Sequence, residues 1–271
     1  MKTVDHIDQA GERMYRFFID SEQLDNDLIS ITGDDYNHIK NVLRMKIGEK
    51  VLLSDGGDKE YEASIVGFYD DGDRTNKGAS HIQPAVILKV TDVFGSSREL
   101  PSKITLFQGY PKGDKMEQVV QKAVELGAYE IVPVMMNRCV VRLDEKKAAR
   151  KTERLNSIAE GAAKQSKRGI IPKVREVMSM KQALEYASSL EYVIIPYECA
   201  DGMDYSRKIL KDAAEKDSVG IFIGPEGGFE NSEVEKLKSI GGKIITLGHR
   251  ILRTETAGMA VLSILMWLME D

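Results

Sequence analysis

The chain has 271 residues, enough for one large or two ordinary domains, and its 42% hydrophobic and 30% charged content is that of a soluble globular protein. Its two cysteines, Cys139 and Cys199, have no CxxC spacing or histidine neighbour, so neither a disulfide framework nor a zinc site is indicated and a reducing cytoplasm is expected. The net charge of −5 argues against a uniformly basic nucleic-acid binder, yet Arg138 to Arg175 holds twelve Lys or Arg against four acids, while Asp20 to Asp35 holds six acids and no base.

Residues 1–13 are polar and patternless and are expected to form a disordered lead-in. From Met14 to Leu100 the signals are short strands at Tyr15–Ile19, Lys50–Ser54, Tyr61–Phe68 and Ala85–Val93, with a turn at Asp55-Gly56-Gly57-Asp58 and one helix at Asp35–Leu43. This predicts a small β-rich domain over 14–100. Asp70–Ser80 lacks any apolar run and reads as a long mobile loop, and Gly95–Ser102 as a linker.

Over 101–271 strands alternate with helices. Lys115–Leu126 places Met116, Val119, Val120, Ala123 and Val124 at i, i+3, i+4, i+7 and i+8, with Asp114 and Glu117 spaced as a capping box and Gly127 at the C′ position. A strand at Ile131–Met135 follows, then a basic-faced helix from about Glu145 to Ser166. Further strands are expected at Lys173–Val177, Tyr192–Pro196, Val219–Ile223 and Lys243–Leu247. Such alternation predicts a mostly parallel sheet with helices on both faces, an α/β architecture.

The final helix, Glu255–Met269, is apolar nearly all round. Ser263 interrupts it and it is too short to span a bilayer, so no membrane partner is expected; a helix that needs cover on every side argues instead for a homodimer. His6, His38, His81 and His249 show no ligand spacing, and no metal is expected.

Two strands end in loops of unusual composition. Val219–Ile223 runs into Gly224-Pro225-Glu226-Gly227-Gly228, and Lys243–Leu247 into Gly248-His249-Arg250-Ile251-Leu252-Arg253-Thr254-Glu255-Thr256-Ala257. Either alone could be an ordinary strand-to-helix turn. Together they place two glycine-bearing loops at the carboxyl ends of parallel strands, where ligands bind in open α/β sheets. The chain lacks both GxxxxGK[ST] and an early GxGxxG, which disfavours a triphosphate P-loop and a Rossmann dinucleotide turn.

"IGPEGGFENSEVE" at 223–235 and "LGHRILRTETAGMA" at 247–260 resemble the RsmE family of the SPOUT methyltransferase superfamily. The similarity extends to "KGDKMEQVVQKAVELGAYEIVPV" at 112–134, "NRCVVR" at 137–142, "AAKQSKRGIIPKV" at 162–174 and "NHIKNVLRMKIGEKVLLSDG" at 37–56. The resemblance implies a SPOUT-type parallel sheet with a C-terminal trefoil knot, a preceding PUA-like RNA-binding domain and a homodimer. It also implies S-adenosylmethionine-dependent methylation of uridine N3 in 16S ribosomal RNA, the partner being that RNA or the assembled small subunit.

The cofactor would contact Ile223, Gly224, Pro225, Glu226, Gly227, Gly228, Leu247, Gly248, Ile251, Leu252, Arg253, Thr254, Glu255, Thr256 and Ala257. Ile223, Leu247, Ile251 and Leu252 can supply apolar walls, which suits a ligand without a pyrophosphate. Arg253 is the leading catalytic candidate, since guanidinium donors suit carbonyl oxygens bearing developing negative charge, and Arg138 is the second. Glu255, in the first turn of a helix, is favoured in its charged form and is better placed to cap or to orient Arg253 than to act as base. Arg44, Arg138, Arg142, Gln165, Lys167 and Arg168 are the RNA-contact candidates. A noncatalytic RNA-binding assembly factor on the same fold and a nucleotide enzyme using GPEGG as a phosphate turn are the alternatives.

Overall fold

The computed structural model describes residues 6–7, 13–20, 23–55, 59–69, 83–95, 99–197 and 202–270. The expected turn at 56–58, the 70–80 loop, Cys199 and most of the lead-in lie outside them. The chain divides into two compact units, one of residues 1–98 with 167–170 and one of 99–166 with 171–271.

The first unit comprises β1 (His6–Ile7), β2 (Arg13–Phe18), β3 (Leu24–Asp25), β4 (Leu28–Thr32), α1 (Gly33–Asn37), a π turn (His38–Val42), β5 (Lys50–Ser54), β6 (Lys59–Tyr69) and β7 (Ala85–Gly95). Its seven strands run in the order β1-β2-β5-β6-β7-β4-β3. Alternate residues of β5 and β6, with Phe17, Ile29, Ile39 and Leu88, fill a buried core. The expected helix at 35–43 is a single α turn that widens into π geometry and ends at Arg44 with φ 55°. β1 lies inside the segment read as a patternless lead-in and pairs with β2, and β3 and the apolar, β-branched β4 are additional strands.

Residues 167–170 join this unit through named bonds. The Arg16 guanidinium is buried, ion-paired to buried Glu60 at 2.8 Å, and donates to the Arg168 carbonyl at 3.0 Å. The Ser54 hydroxyl donates to the Gly169 carbonyl.

The second unit comprises β8 (Lys103–Gly109), α2 (Lys115–Glu125), β9 (Glu130–Met135), α3 (Glu145–Ser166), β10 (Lys173–Val174), β11 (Met178–Ser179), α4 (Met180–Ala187), β12 (Tyr192–Pro196), α5 (Met203–Ala214), β13 (Ser218–Ile223), α6 (Asn231–Ser239), β14 (Lys243–Ile245) and α7 (Thr254–Met269). The strands run β10-β9-β8-β13-β12-β14, with β11 also on β9. Every pairing is parallel. Central β8 and β13 are buried along almost their whole length, as apolar runs covered on both faces must be, and the Phe107 and Phe222 rings stack at 4.3 Å.

Helix α2 buries the five apolar residues that its spacing predicts, and Gly127 takes φ 88° just beyond it. The expected capping box is not made: Asp114 occupies the N-cap position without a side-chain bond, because Glu117 turns outward to Arg154 at 2.7 Å. Capping boxes form instead at Ser179 with Gln182 and at Glu230 with Glu233. Strand 173–177 shortens to 173–174, and strand 243–247 stops at Ile245. Helix α7 packs against α2, α5, β8 and β13. It buries Thr254, Gly258, Val261, Leu262 and Leu265 as one stripe, while Trp267 on its outer side is 75% exposed. Among the described residues no helix is long and apolar enough to cross a membrane.

Candidate active site

Because β8, β9, β12, β13 and β14 run in one direction, the segments leaving β8 (110–114), β9 (136–144), β13 (224–230) and β14 (246–253) all emerge at one edge of the second unit. Pro225 crosses directly over the last residue of β8: a Cβ added to Gly109 would meet the Pro225 nitrogen at 2.5 Å. Gly228 takes φ 69° and Gly248 φ 109°, conformations that suit glycine at the two turns.

A buried chain of hydrogen bonds ties the two glycine-bearing loops together. Gln108 Nε2 on β8 donates to Thr254 Oγ1 at 2.7 Å, and Thr254 Oγ1 donates to the Gly224 carbonyl at 2.6 Å. Thr254 is the first residue of α7, so the helix start and the GPEGG loop are held at one point. Gly258, one turn on, lets α7 approach the sheet: a Cβ there would lie 3.6 Å from Gln108 Oε1 and from Ile223 Cγ1.

The loop after β9 binds the same structure. Arg138 Nη1 donates to the Gly227 carbonyl at 3.0 Å. The Asn137 amide donates to buried Glu233 at 2.9 Å, and its side chain to Glu230 at 2.7 Å. Arg142 Nη2 donates to the Asn137 carbonyl at 3.3 Å. Cys139 is buried beneath this loop, and burial pushes its thiol pKa up.

Lys115, on the first turn of α2, faces both loops. Its Nζ donates to Glu226 Oε1 at 3.0 Å and lies 3.6 Å from Glu255 Oε2, and the Lys112 amide donates to the same Glu226 oxygen at 3.2 Å. The hydrogen bond to Glu226 holds the Lys115 ammonium pKa above its ordinary value. Burial alone would raise the Glu226 carboxyl, but Lys115 and the backbone donors outweigh it and hold the pKa below the usual range.

The candidates from 223 to 228 and from 247 to 257 thus share one edge. Ile223 and Pro225 are buried, Gly224, Gly228, Leu247, Gly248, Leu252, Glu255 and Ala257 are half-buried, and Glu226, Gly227, Ile251, Arg253 and Thr256 are exposed as residues. Thr254 is spent on the internal hydrogen bonds, so its hydroxyl serves the fold rather than facing outward. Ile251 is 86% exposed. Arg253 is the N-cap residue of α7, an exposed cation between the second loop and the helix. Exposed Arg138 and Arg142 lie on the 136–144 segment of the same edge.

Gln165 is exposed at the end of α3. Lys167 and Arg168 belong to the other unit, where Arg44 is exposed. Arg168 is only 4% exposed and packs within that unit, which corrects its expected place on the surface. Sequence reasoning passed over Gln108, Gly109, Lys112 and Lys115. All four lie in the Gln108–Lys115 stretch, which the sequence marked as a strand-to-helix connection with a family-like start at Lys112 but not as part of the site.

The chain matches the family described as RNA methyltransferase domain over residues 98–266 and the RNA methyltransferase PUA domain over 31–67. It is 36% identical to ribosomal RNA small subunit methyltransferase E of Bacillus subtilis (strain 168), covering 92% of this chain and 95% of that protein. It is 28% identical to the enzyme of the same name from Mesomycoplasma hyopneumoniae (strain 232), over 92% of this chain and 98% of that one. The crystal structure of ribosomal RNA small subunit methyltransferase E from Neisseria gonorrhoeae bound to S-adenosyl methionine superimposes with a TM-score of 0.73 at 28% identity, over 92% of this chain and 95% of that one. The chain belongs to the ribosomal RNA small subunit methyltransferase E family.

Proposed function

We propose that this protein transfers the methyl group of S-adenosylmethionine to N3 of a uridine in small-subunit ribosomal RNA. The observation that carries this reading is the Gln108–Thr254–Gly224 chain, which ties the GPEGG loop to the start of α7 at the carboxyl edge of the sheet. Glycines at 109, 224 and 227 let these segments pack closely on one another, since an added Cβ at each would meet Pro225, Phe229 or Arg138 atoms at 2.5 to 3.2 Å, and that holds the loop backbone in one place for a ligand. The cofactor would lie against Ile223 to Gly228, Leu247, Gly248 and Ile251 to Ala257, with Ile251 folding inward only when a ligand or partner covers it. When bound it supplies an electrophilic methyl group on a sulfonium.

The residues' task is to position a uracil whose N3 loses its proton and to stabilise the charge spread onto the flanking carbonyl oxygens. Arg253, exposed at the α7 N-cap, is assigned to those oxygens. Arg138, with one guanidinium nitrogen anchored on Gly227, keeps further donors for the same anion or for a phosphate. Arg142 and Gln165 are assigned to flanking RNA, and Arg44 and Lys167 to RNA contacts of the PUA-like unit. The target base must be unpaired or extruded to reach such a site.

Two finer features belong to the same proposal. A C-terminal segment is threaded through a loop as the trefoil knot of this superfamily, and the exposed outer side of α7, with Trp267, is covered by a second copy in a homodimer that works in the cytoplasm. Titration calorimetry with S-adenosylmethionine, with ATP and NAD as controls, followed by methyl transfer to small-subunit RNA, tests the reading. Selective cofactor binding and m3U formation are expected, and Arg253→Ala should lower the rate by about 10²-fold or more with the fold intact. RNA affinity without cofactor affinity, alone or on the ribosomal subunit, would favour the noncatalytic alternative.

A further inference from the structure

We infer that Lys115 is a positioning residue that couples the cofactor loop to the catalytic helix start. The inference rests on the methyltransferase reading above and adds a residue from outside both glycine-bearing loops. Three observations carry it. Lys115 Nζ is 3.0 Å from Glu226 in the GPEGG loop and 3.6 Å from Glu255 in the first turn of α7, so one ammonium spans both. Glu255 Oε2 is buried without a hydrogen bond, leaving Lys115 as the cation that offsets its charge there. Arg253 is the N-cap residue of the same helix, two positions before Glu255. The ammonium therefore sits between two carboxylates at the helix start that carries Arg253, and the side chain is only 26% exposed.

The two distances rank the consequences. The shorter contact is to Glu226, so losing the ammonium first frees the GPEGG loop and weakens cofactor binding. The longer contact is to Glu255, beside Arg253, so the effect on turnover is smaller. Uncompensated Glu226 and Glu255 would also repel each other across the gap that the ammonium now fills.

The test is steady-state methylation of small-subunit RNA together with calorimetric titration of S-adenosylmethionine, on the full-length protein. Lys115→Met should raise KM and Kd for the cofactor about tenfold and lower kcat by less than that, and Lys115→Arg should restore most of the affinity. Glu226→Gln, which keeps the side-chain volume, should reproduce the KM effect even if Lys115→Met folds poorly. Lys122→Met, which removes an ion pair on the same helix away from the site, should leave the kinetics unchanged while matching any general loss of stability. Kinetic constants of Lys115→Met and Glu226→Gln within twofold of the unaltered protein would overturn the inference while leaving the methyltransferase reading standing. Absence of cofactor binding by the unaltered protein would overturn both.

Discussion

Gly109→Ala puts the geometry of the site to a quantitative test. The added methyl would lie 2.5 Å from the Pro225 nitrogen, 2.7 Å from its Cδ and 2.9 Å from the Gly224 carbonyl carbon, all backbone or ring atoms without a rotamer to escape into. Gly109 closes a strand held by β9 on one side and β13 on the other, so the loop must move rather than the strand. Restoring an ordinary contact of 3.4 Å from 2.5 Å requires a retreat of about 0.9 Å. The Thr254–Gly224 bond, now 2.6 Å, would then stretch to the limit of a hydrogen bond. Overpacking of this kind costs about 1–3 kcal/mol.

Thermal unfolding with and without cofactor separates the two consequences. Without it, Tm should fall by about 2–4 °C for each kcal/mol lost. With S-adenosylmethionine at 100 times the Kd of the unaltered protein, that protein gains about 2.7 kcal/mol. A displaced GPEGG loop should weaken cofactor binding, and a variant that bound about 100-fold more weakly would keep only about 0.4 kcal/mol of cofactor stabilisation. Gly161→Ala is the control: nothing lies within 4 Å of an added Cβ there, and inside α3 the change should raise stability by about 0.5–1 kcal/mol. Gly109→Ala with an unchanged Tm and the full cofactor shift would refute the close crossing of β8 by the GPEGG loop.

Three further outcomes are expected. Thr254→Val removes the acceptor of buried Gln108 and the donor to Gly224, and should cost about 1–3 kcal/mol in denaturant melts along with weaker cofactor binding; a neutral result would mean that the chain of bonds does not couple the loops. In the first unit, Arg16→Met removes the buried ion pair with Glu60 and the hydrogen bond to the Arg168 carbonyl, and should destabilise that unit by about 1.5–3 kcal/mol by chemical denaturation. Burial raises the Cys139 thiol pKa, so its contribution to stability is fully present below the unfolded thiol pKa and is lost as pH rises through the folded value. Native protein should accordingly resist alkylation at Cys139 at mildly alkaline pH, and rapid labelling of the folded state would contradict that burial.

Much of this fold was legible because local signals and tertiary demands agree. Val219–Ile223 is apolar on both faces and became a central parallel strand; the 3.6-residue spacing of α2 appears as its buried stripe. The glycine-bearing loops could be located because glycines after such strands have few other uses. The failures came where a side chain had a better partner than local spacing suggests. Glu117 was expected to close a capping box, but Arg154 lies 37 residues further on and takes its carboxylate. Strand β4, Leu-Ile-Ser-Ile-Thr, was passed over because the acids on either side of it drew the reading of 20–35 to charge alone. Within the site, Lys115 was counted only as a helix starter: nothing in sequence indicates that Glu226 and Glu255 converge on it.

The basic stretch from 138 to 175 shows most clearly what a linear count omits. Twelve cations against four acids reads as one RNA-facing stripe, yet the chain leaves α3 at Ser166, turns through Lys167 at φ 60°, and contributes residues 167–170 to the other unit. Arg154 and Arg175 are taken by Glu117 and Glu130, and Arg168 is buried. Arg138 and Arg142 stay on the exposed edge beside the GPEGG loop. On the proposed reading the cations that serve RNA are those without a carboxylate partner of their own: Arg138 and Arg142 donate to the Gly227 and Asn137 carbonyls, which leaves their charges uncompensated by those bonds. Charge reversal at Arg142 should thus weaken RNA binding and flatten its salt dependence, whereas reversal at Arg154 should cost stability and leave the salt slope unchanged.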